Sequence, residues 1–433
     1  VGSGFLGLTI ALRLSEAGHR VTVFESASEI GGLASAWRIG DVEWDRHYHV
    51  TLFSDRFTRK IVEEIGLGDE FEWVETKTGF YSDGKLVSMS NALEFLKFPP
   101  LGLVSKFRLG GTIVLASRLK DWKSLEKVTV EDWLTKFSGR KTFDKIWRPL
   151  LRAKLGEAYK ETSASFIWAT IQRMYAARNS GLKKEMFGYV RGGYARVLGR
   201  FAEVLKERGV GIKLDSRISE VRRSEDGKWT VESGIANTTF DSVILTCPSN
   251  VAAAIAPQLS DAEKAKLAAI RYQGIICASV LLKKSLSPYY VTNITDETPF
   301  TGIIEMSALV DKRAFGGNAL VYLPKYVSPD DALFDRSDDE IREIFIAALE
   351  RMYEGFSRED VVDFRISRVR RVFPLPVLNY SAQLPPVTTS LEGLYIVNSS
   401  QITNGTLNVN ETIQLAESFC SEFRLQAAPT LKR

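Results

Sequence analysis

Apolar residues recur at helical spacing in some stretches of the chain and at strand spacing in others, and this alternation sets the first expectations. Leu8 to Ala17 reads as a helix, apolar on one side and closed by Gly18. Val21-Thr22-Val23-Phe24 follows as a short β-rich run ending at Glu25. Helical periodicity returns at about 55–66, 103–120, 130–138, 165–178 and 338–354. It appears again in Val197, Phe201, Val204 and Leu205, and in Val409, Ile413, Ala416, Cys420 and Phe423. Strand-type runs fall at 274–283, 301–308, 319–324, 363–369 and 394–398. Helices interleaved with strands predict an α/β architecture. No internal repeat or low-complexity linker interrupts the pattern.

The first helix is preceded by Gly2-Ser3-Gly4-Phe5-Leu6-Gly7, a GxGxxG turn. In such a turn the first glycine makes the bend, the second lets backbone approach a pyrophosphate, and the third lets helix and strand pack closely. Glu25 stands 18 residues after Gly7, near the spacing at which a carboxylate accepts hydrogen bonds from an adenosine ribose. The helix N-terminus adds the positive end of a dipole for phosphates. Turn, helix, second strand and terminal acid in register predict a dinucleotide site. The strand that should precede Gly2 is almost wholly missing, so the chain is expected to be a fragment, with a targeting segment upstream left open.

Composition narrows the class. The 433 residues are 45% hydrophobic and 25% charged, as in globular proteins, and the length suggests two or more domains. A net charge of +4, without a basic tract interleaved with aromatics, argues against a nucleic-acid partner. Cys247, Cys277 and Cys420 have no CxxC spacing, so neither a zinc site nor a disulfide framework is expected, and a reducing, cytoplasmic setting fits. No apolar run reaches the ~18 residues needed to span a membrane.

Glu25 is followed by Gly31-Gly32-Leu33-Ala34-Ser35, and this ExxxxxGG pattern resembles the FAD-binding motif of the amine oxidase, protoporphyrinogen oxidase and carotenoid desaturase group. Three further segments match that group in order. Tyr189-Val190-Arg191-Gly192-Gly193-Tyr194 leads into a helix and then strands at 210–214 and 218–221; Asp241 to Pro248 resembles a strand and turn returning to the FAD domain; and Leu394-Tyr395-Ile396-Val397-Asn398 feeds a last helix. The resemblance spans the chain and is weakest in the middle. It implies FAD held by Gly2, Gly4, Phe5, Gly7, Glu25, Gly31, Gly32, Leu33, Ala34, Val221, Cys247, Asn398 and Val409, with the backbone near Val221 beside the adenine. The group normally places an acid where this chain has Asn398, which still donates and accepts hydrogen bonds. The helix starting near Val409 would point its N-terminus at the flavin ring.

The resemblance also implies a Rossmann-like FAD domain of the glutathione-reductase type, discontinuous over 1–55, 188–258 and 375–433. An inserted α+β substrate domain of 56–187 and 259–374 would carry a mixed sheet and a helical cap, its first insertion mostly helical. Within 95–120, Phe98, Leu101, Phe107, Ile113, Val114 and Leu115 are flanked by Lys106, Arg108, Arg118 and Lys120. That mixture fits core packing, a substrate funnel, or peripheral contact with an anionic membrane.

Flavin carries the redox chemistry, so the protein's task is to position a substrate bond and tune the ring. Asp45-Arg46-His47-Tyr48-His49 holds two of the three histidines. His47 and His49 would share one face if the segment were a strand; a flavin-facing polar contact is the reading favoured for His49, and no metal is expected. Arg148, Arg152 and Lys154 are candidates for an anionic substrate group, against a solvated basic face. Tyr272, taken to precede a strand, and Tyr322, taken to follow one, are candidates for lining a cavity. The expected substrate is a small hydrophobic or anionic organic molecule.

The leading functional expectation is an FAD-dependent oxidase, dehydrogenase or desaturase that moves hydride from substrate to flavin N5. Two alternatives stay open: a non-redox flavin mutase resembling UDP-galactopyranose mutase, which also carries histidines after its glycine pair, and a flavin-free carrier resembling GDP dissociation inhibitors.

Overall fold

Two pairs of short parallel strands meet at the first two residues of the chain. In the computed structural model, which describes residues 1–90, 92–178, 186–234 and 237–427, Thr22–Phe24 pairs with Gly211–Lys213 and Val243–Leu245 pairs with Leu394–Ile396. Val1 donates its N–H to the Ile244 carbonyl at 2.7 Å and accepts from Thr246 N–H at 2.9 Å. Gly2 donates to the Phe24 carbonyl at 2.8 Å. Val1 and Gly2 therefore stitch the two pairs together where a central strand belongs.

The helix Phe5–Glu16 packs against this layer. Its residues from Phe5 to Leu14 are all buried, not on one side alone as its sequence pattern suggests. One face meets Val197, Phe201 and Leu205 of the helix Gly193–Glu207; the other meets Ala416, Phe419 and Cys420 of the helix Val409–Ala427. A helix enclosed on two sides must be apolar nearly all round. Its one buried cation, Arg13, is neutralised by Glu16, Glu64 and Glu417.

A seven-stranded mixed sheet forms the second layer, in the order Val361–Pro374, Tyr272–Leu282, Ala319–Val327, Gly302–Glu305, Val291–Ile294, Thr78–Ser82 and Lys85–Ser88. Every neighbouring pair is antiparallel except Val291–Ile294 with Thr78–Ser82. All eleven residues of Tyr272–Leu282 are buried, because both faces are covered. On one face Ile276, Val280 and Val321 pack on Ile341, Phe345 and Leu349 of the helix Asp338–Met352, whose start is fixed by a Ser337/Glu340 capping box. On the other face Ile275, Cys277, Tyr322 and Tyr326 look towards a helical layer that includes Val130–Ser138, Arg148–Leu155 and Ala164–Arg178.

Three expectations change. The stretch 56–187 holds strands as well as helices: Phe71–Glu75 pairs with Met186–Val190, and Thr78–Ser82 and Lys85–Ser88 extend the large sheet. Phe71–Glu75 and Thr78–Ser82 take partners from far along the chain, whereas Lys85–Ser88 closes a local hairpin on Thr78–Ser82. Tyr272 opens its strand instead of preceding it, and Tyr322 lies inside the strand Ala319–Val327. The strand extends beyond the expected run 319–324 to Val327, through Pro324. The proline is tolerated because the neighbour Gly302–Glu305 pairs only up to Tyr322, so on that side no ladder partner needs the missing N–H. Lastly, residues 46–50 form no strand between Val42–Asp45 and Thr51–Leu52, so the alternation assumed for His47 and His49 does not apply.

Candidate cofactor and substrate site

The glycine turn closes on itself through backbone contacts. Gly2 has φ +108°, and a Cβ there would lie 2.5 Å from Thr246 Oγ1. A Cβ on Gly7 would lie 2.0 Å from the Gly2 carbonyl oxygen, so only glycine lets the helix approach its own turn. Gly31 donates to the Ser3 carbonyl at 2.9 Å and bridges Gly4. Gly4 and Gly32 differ from the others. The nearest atom to a Cβ on Gly4 is the Gly31 oxygen at 4.0 Å, and on Gly32 the Gly4 Cα at 3.5 Å. Packing does not demand glycine at Gly4, and the bare backbone there is open to the approach of a diphosphate. No side chain caps the helix at Gly4, so its first amides remain available to an anion.

Glu25 sits at the edge of this cradle. Its Oε2 accepts from Ser3 N–H at 2.9 Å and Ser3 Oγ at 2.8 Å, and its Oε1 from Ala27 N–H at 3.0 Å. Burial alone would push this carboxyl up, but the hydrogen bonds from Ala27 and Ser3 outweigh it and hold the group below its ordinary range. An ionised acceptor fixed beside a glycine turn suits a pair of ribose hydroxyls. The glycine cradle, the free amides and this carboxylate together fit a dinucleotide such as FAD.

The remaining expected cofactor residues divide. Phe5 turns its ring into the core against Tyr194 and Phe201, leaving only its amide for a ligand. Ala34 is buried in the 3-10 turn Gly32–Ala34, and the Leu33 carbonyl there accepts from His47 Nδ1 at 3.1 Å. Cys247 lies beside the turn, its thiol pushed up to about 11 by burial. Val221 is fully buried in Ile218–Arg223 opposite Val231. Val409 opens the last helix and packs on the core around the first one, while Asn408 caps that helix through Glu411 N–H at 3.0 Å. Asn398 faces inward: Oδ1 accepts from Ser400 N–H at 3.0 Å and Nδ2 donates to Ser249 Oγ at 3.2 Å. Its carboxamide is thus spent on holding two turns together.

Behind the cradle, the segment after Asp45 is pinned to the sheet. Tyr322 donates to the Asp45 carbonyl at 2.6 Å and is fully buried, so it is a strut and not a cavity-lining residue. Asp45 Oδ1 accepts from Tyr194 N–H at 2.7 Å, and its other oxygen is 3.6 Å from His49 Nδ1. His49 packs edge-on against Tyr194, 5.0 Å between centroids. His47 points the other way, to the Leu33 loop, and its buried Nε2 has no partner. Loss of hydration, with His49 nearby, lowers its pKa to about 4, so its ring is neutral at pH 7. A neutral imidazole donating through Nδ1 leaves Nε2 as an unfilled acceptor. The buried Nδ1 of His49 likewise has no hydrogen-bond partner, so each imidazole keeps one unfilled ring nitrogen.

The substrate candidates also separate. Arg148 is paired with Asp144, and Arg152 with Glu157 at 2.7 Å, both on the helix surface. Tyr272 is occupied by Ser249, accepting from its N–H at 2.9 Å. Lys154 alone reaches the inner sheet face, donating to Tyr326 Oη at 2.6 Å. Tyr326 in turn lies 2.9 Å from Tyr48 Oη, between the two histidines in sequence. Tyr48, Tyr326 and Thr246 enter the site through partners 278 and 245 positions away, which nothing local in the sequence marks, and Ser3 enters through Glu25, 22 positions on.

A dinucleotide cradle joined to a mixed sheet with a helical cap defines an FAD-dependent α/β protein of the amine oxidase type. Residues 7–408 match the family described as flavin containing amine oxidoreductase. The chain belongs to this family of oxidoreductases, and its cofactor is FAD. It is similar to a zeta-carotene desaturase of Synechocystis sp., 24% identical over 60% of this chain and 58% of that protein. It is also similar to a hydroxysqualene dehydroxylase of Zymomonas mobilis, 22% identical over 92% of each. Among solved structures, an oxidoreductase from Methanosarcina mazei superposes with a TM-score of 0.76 at 16% identity, covering 97% of this chain and 98% of that one. At that identity the likeness shows the fold alone. The chain spans just under three-fifths of the length of the desaturase.

Proposed function

We propose that this protein is an FAD-dependent dehydrogenase or desaturase that takes hydride from an apolar organic substrate held between the cradle and the inner sheet face. The observation that carries this reading is the continuity from Glu25 and the open Gly4 backbone, through His47, to an aromatic sheet wall at Tyr48 and Tyr326. The activities named for the relatives, carotene desaturation and hydroxysqualene dehydroxylation, support an apolar substrate. We assign the FAD domain to the glutathione-reductase type, built from 1–55, 188–258 and 375–433, with 56–187 and 259–374 as the substrate domain. Bound FAD supplies two-electron redox chemistry. The chain's own part is to hold the diphosphate on backbone amides, to receive the ribose on Glu25, and to keep water from the reacting bond with the aromatic wall.

Purified protein is expected to be yellow and to bleach anaerobically with a long-chain polyene or isoprenoid alcohol. Colourless protein that cannot be reconstituted would favour the carrier reading. Turnover that needs prior reduction and gives no net oxidation would favour the mutase.

A second proposal concerns the helices Ala92–Lys97 and Leu103–Arg118: they rest on an anionic lipid surface. The inner side of the longer helix is buried through Leu109, Thr112 and Ala116, which is core packing. Its outer side is also apolar: Val104 is 75% and Phe107 73% exposed, with Leu93 and Leu103 beside them. Exposed Lys97, Arg108, Arg118 and Lys120 border this patch, the mixture that favours an anionic bilayer interface. No helix among the described residues is long and apolar enough to cross a membrane. Flotation with phosphatidylglycerol vesicles should recover the protein, and Phe107→Glu should cut recovery about tenfold with no change in FAD content. Equal flotation of both proteins would refute the contact.

A further inference from the structure

Lys154 is the cation on the inner sheet face, and its surroundings are unusual for an ammonium group. It extends from the helix Arg148–Leu155 onto the strands Ala319–Val327 and Val361–Pro374. Its Nζ lies 3.9 Å from the centroid of Tyr326 and 5.2 Å from that of Phe373. Its one hydrogen bond goes to Tyr326 Oη, and no carboxylate among the described residues lies within ion-pair reach. The other cations of the same helix, Arg148 and Arg152, both have carboxylate partners. An ammonium has three donors, so two remain unused here.

We propose that Lys154, with Tyr326 and Tyr48, is a binding site for an anionic oxygen group, a carboxylate, at one end of the substrate. The site rests on the reading above that the substrate lies along the inner sheet face, and it makes that substrate amphipathic: an apolar body with a charged end. The rings of Tyr326 and Phe373 hold the ammonium and shield it, while Tyr48 fixes the Tyr326 hydroxyl at 2.9 Å and so fixes the direction of the remaining donors.

Charge arithmetic supports the geometry. Loss of hydration lowers the Lys154 pKa to about 7, with no charged neighbour to restore it. The groups facing it are Tyr326, Tyr48 and Cys277, all pushed up by burial and neutral at pH 7. Glu157, on the adjoining turn, is held by Arg152 and Lys160. A bound carboxylate supplies the missing counter-charge and raises the lysine pKa again. Binding at pH 7 is then accompanied by uptake of about half a proton per ligand.

The test uses the FAD-bound protein with two probes of equal chain length, decanoate and decan-1-ol. Tryptophan fluorescence follows binding, and calorimetry in two buffers of different ionisation enthalpy counts protons. Wild type should bind decanoate at least tenfold more tightly than decanol and take up a proton fraction with decanoate only. Lys154→Met should lose the preference and the proton uptake while still binding decanol and retaining FAD; Lys154→Arg should keep the preference. The proposal is overturned if wild type shows no preference, or if Lys154→Met keeps it. FAD content is read separately at 450 nm, and fluorescence reports ligand with or without FAD. Failure of the flavin reading therefore does not masquerade as failure of the lysine site.

Discussion

At the nucleotide cradle the decisive contacts are made by backbone, whereas at the inner sheet face they are made by the tips of long side chains. Gly2, Gly7 and Gly31 are fixed by what a Cβ would strike, and Glu25 is held by Ser3 and Ala27. All these residues fall within the first 31 positions. On the sheet face, Lys154 meets Tyr326 across 172 positions and Tyr326 meets Tyr48 across 278. A backbone cradle tolerates little change and serves one ligand shape. A wall of side-chain ends keeps the fold while its chemistry is altered, which fits one cofactor serving a family of different substrates.

That contrast can be broken most severely at Gly7. Gly7→Ala places a methyl 2.0 Å from a backbone oxygen that has no room to move, and should cost about 3 kcal/mol and abolish FAD retention. Urea denaturation and absorbance at 450 nm check this. A near-normal yellow protein would show that the close approach is not required.

His47 is expected to give a pH effect of similar size. Its folded pKa lies near 4 against an ordinary 6.5, so between these values the unfolded chain binds a proton that the folded one does not. Stability should therefore be full above pH 6.5, fall by roughly 3 kcal/mol as pH drops to about 4, and level off below. His47→Gln should remove that slope in denaturation curves, leaving only the contribution of carboxylates such as Glu25. That contribution has the same direction, because a lowered carboxyl pKa gives stability that is lost on acidification.

Gly4→Ala sharpens the comparison, since its methyl has open space in the protein. The variant should keep its unfolding midpoint without cofactor yet bind FAD about 100-fold more weakly, because the methyl occupies ground needed for the pyrophosphate. Unchanged FAD affinity would mean the turn is a packing device only. The smallest effect is expected for Glu25→Gln, about tenfold in FAD affinity, since the amide keeps one acceptor oxygen but loses the charge.

The degree to which each feature could be read in advance follows from range. The glycine turn, the acid after the second strand and the second glycine pair are local in sequence, and they come together in the structure as they stand in line. Most helices announced themselves by period, as at 103–120 and 338–354, observed at Leu103–Arg118 and Asp338–Met352. The strands in 71–88 did not: two of them pair with residues far along the chain, and the third, Lys85–Ser88, is a short hairpin arm with too few residues to show a period. The strand expected at 319–324 runs on to Val327 past Pro324, because its neighbour ends before the position that would need the missing N–H.

By itself, the sequence determined the class of cofactor, because a diphosphate against a helix N-terminus requires small residues at fixed spacing and a carboxylate one strand away. Tertiary structure alone decided the division of labour among the polar side chains. It turned Asn398 inward to Ser249, spent Tyr322 on the Asp45 carbonyl, left His47 Nε2 without a partner, and set Lys154 between two aromatic rings. The reason is physical: whether a charge is solvated, paired or stranded depends on which distant surfaces exclude water around it.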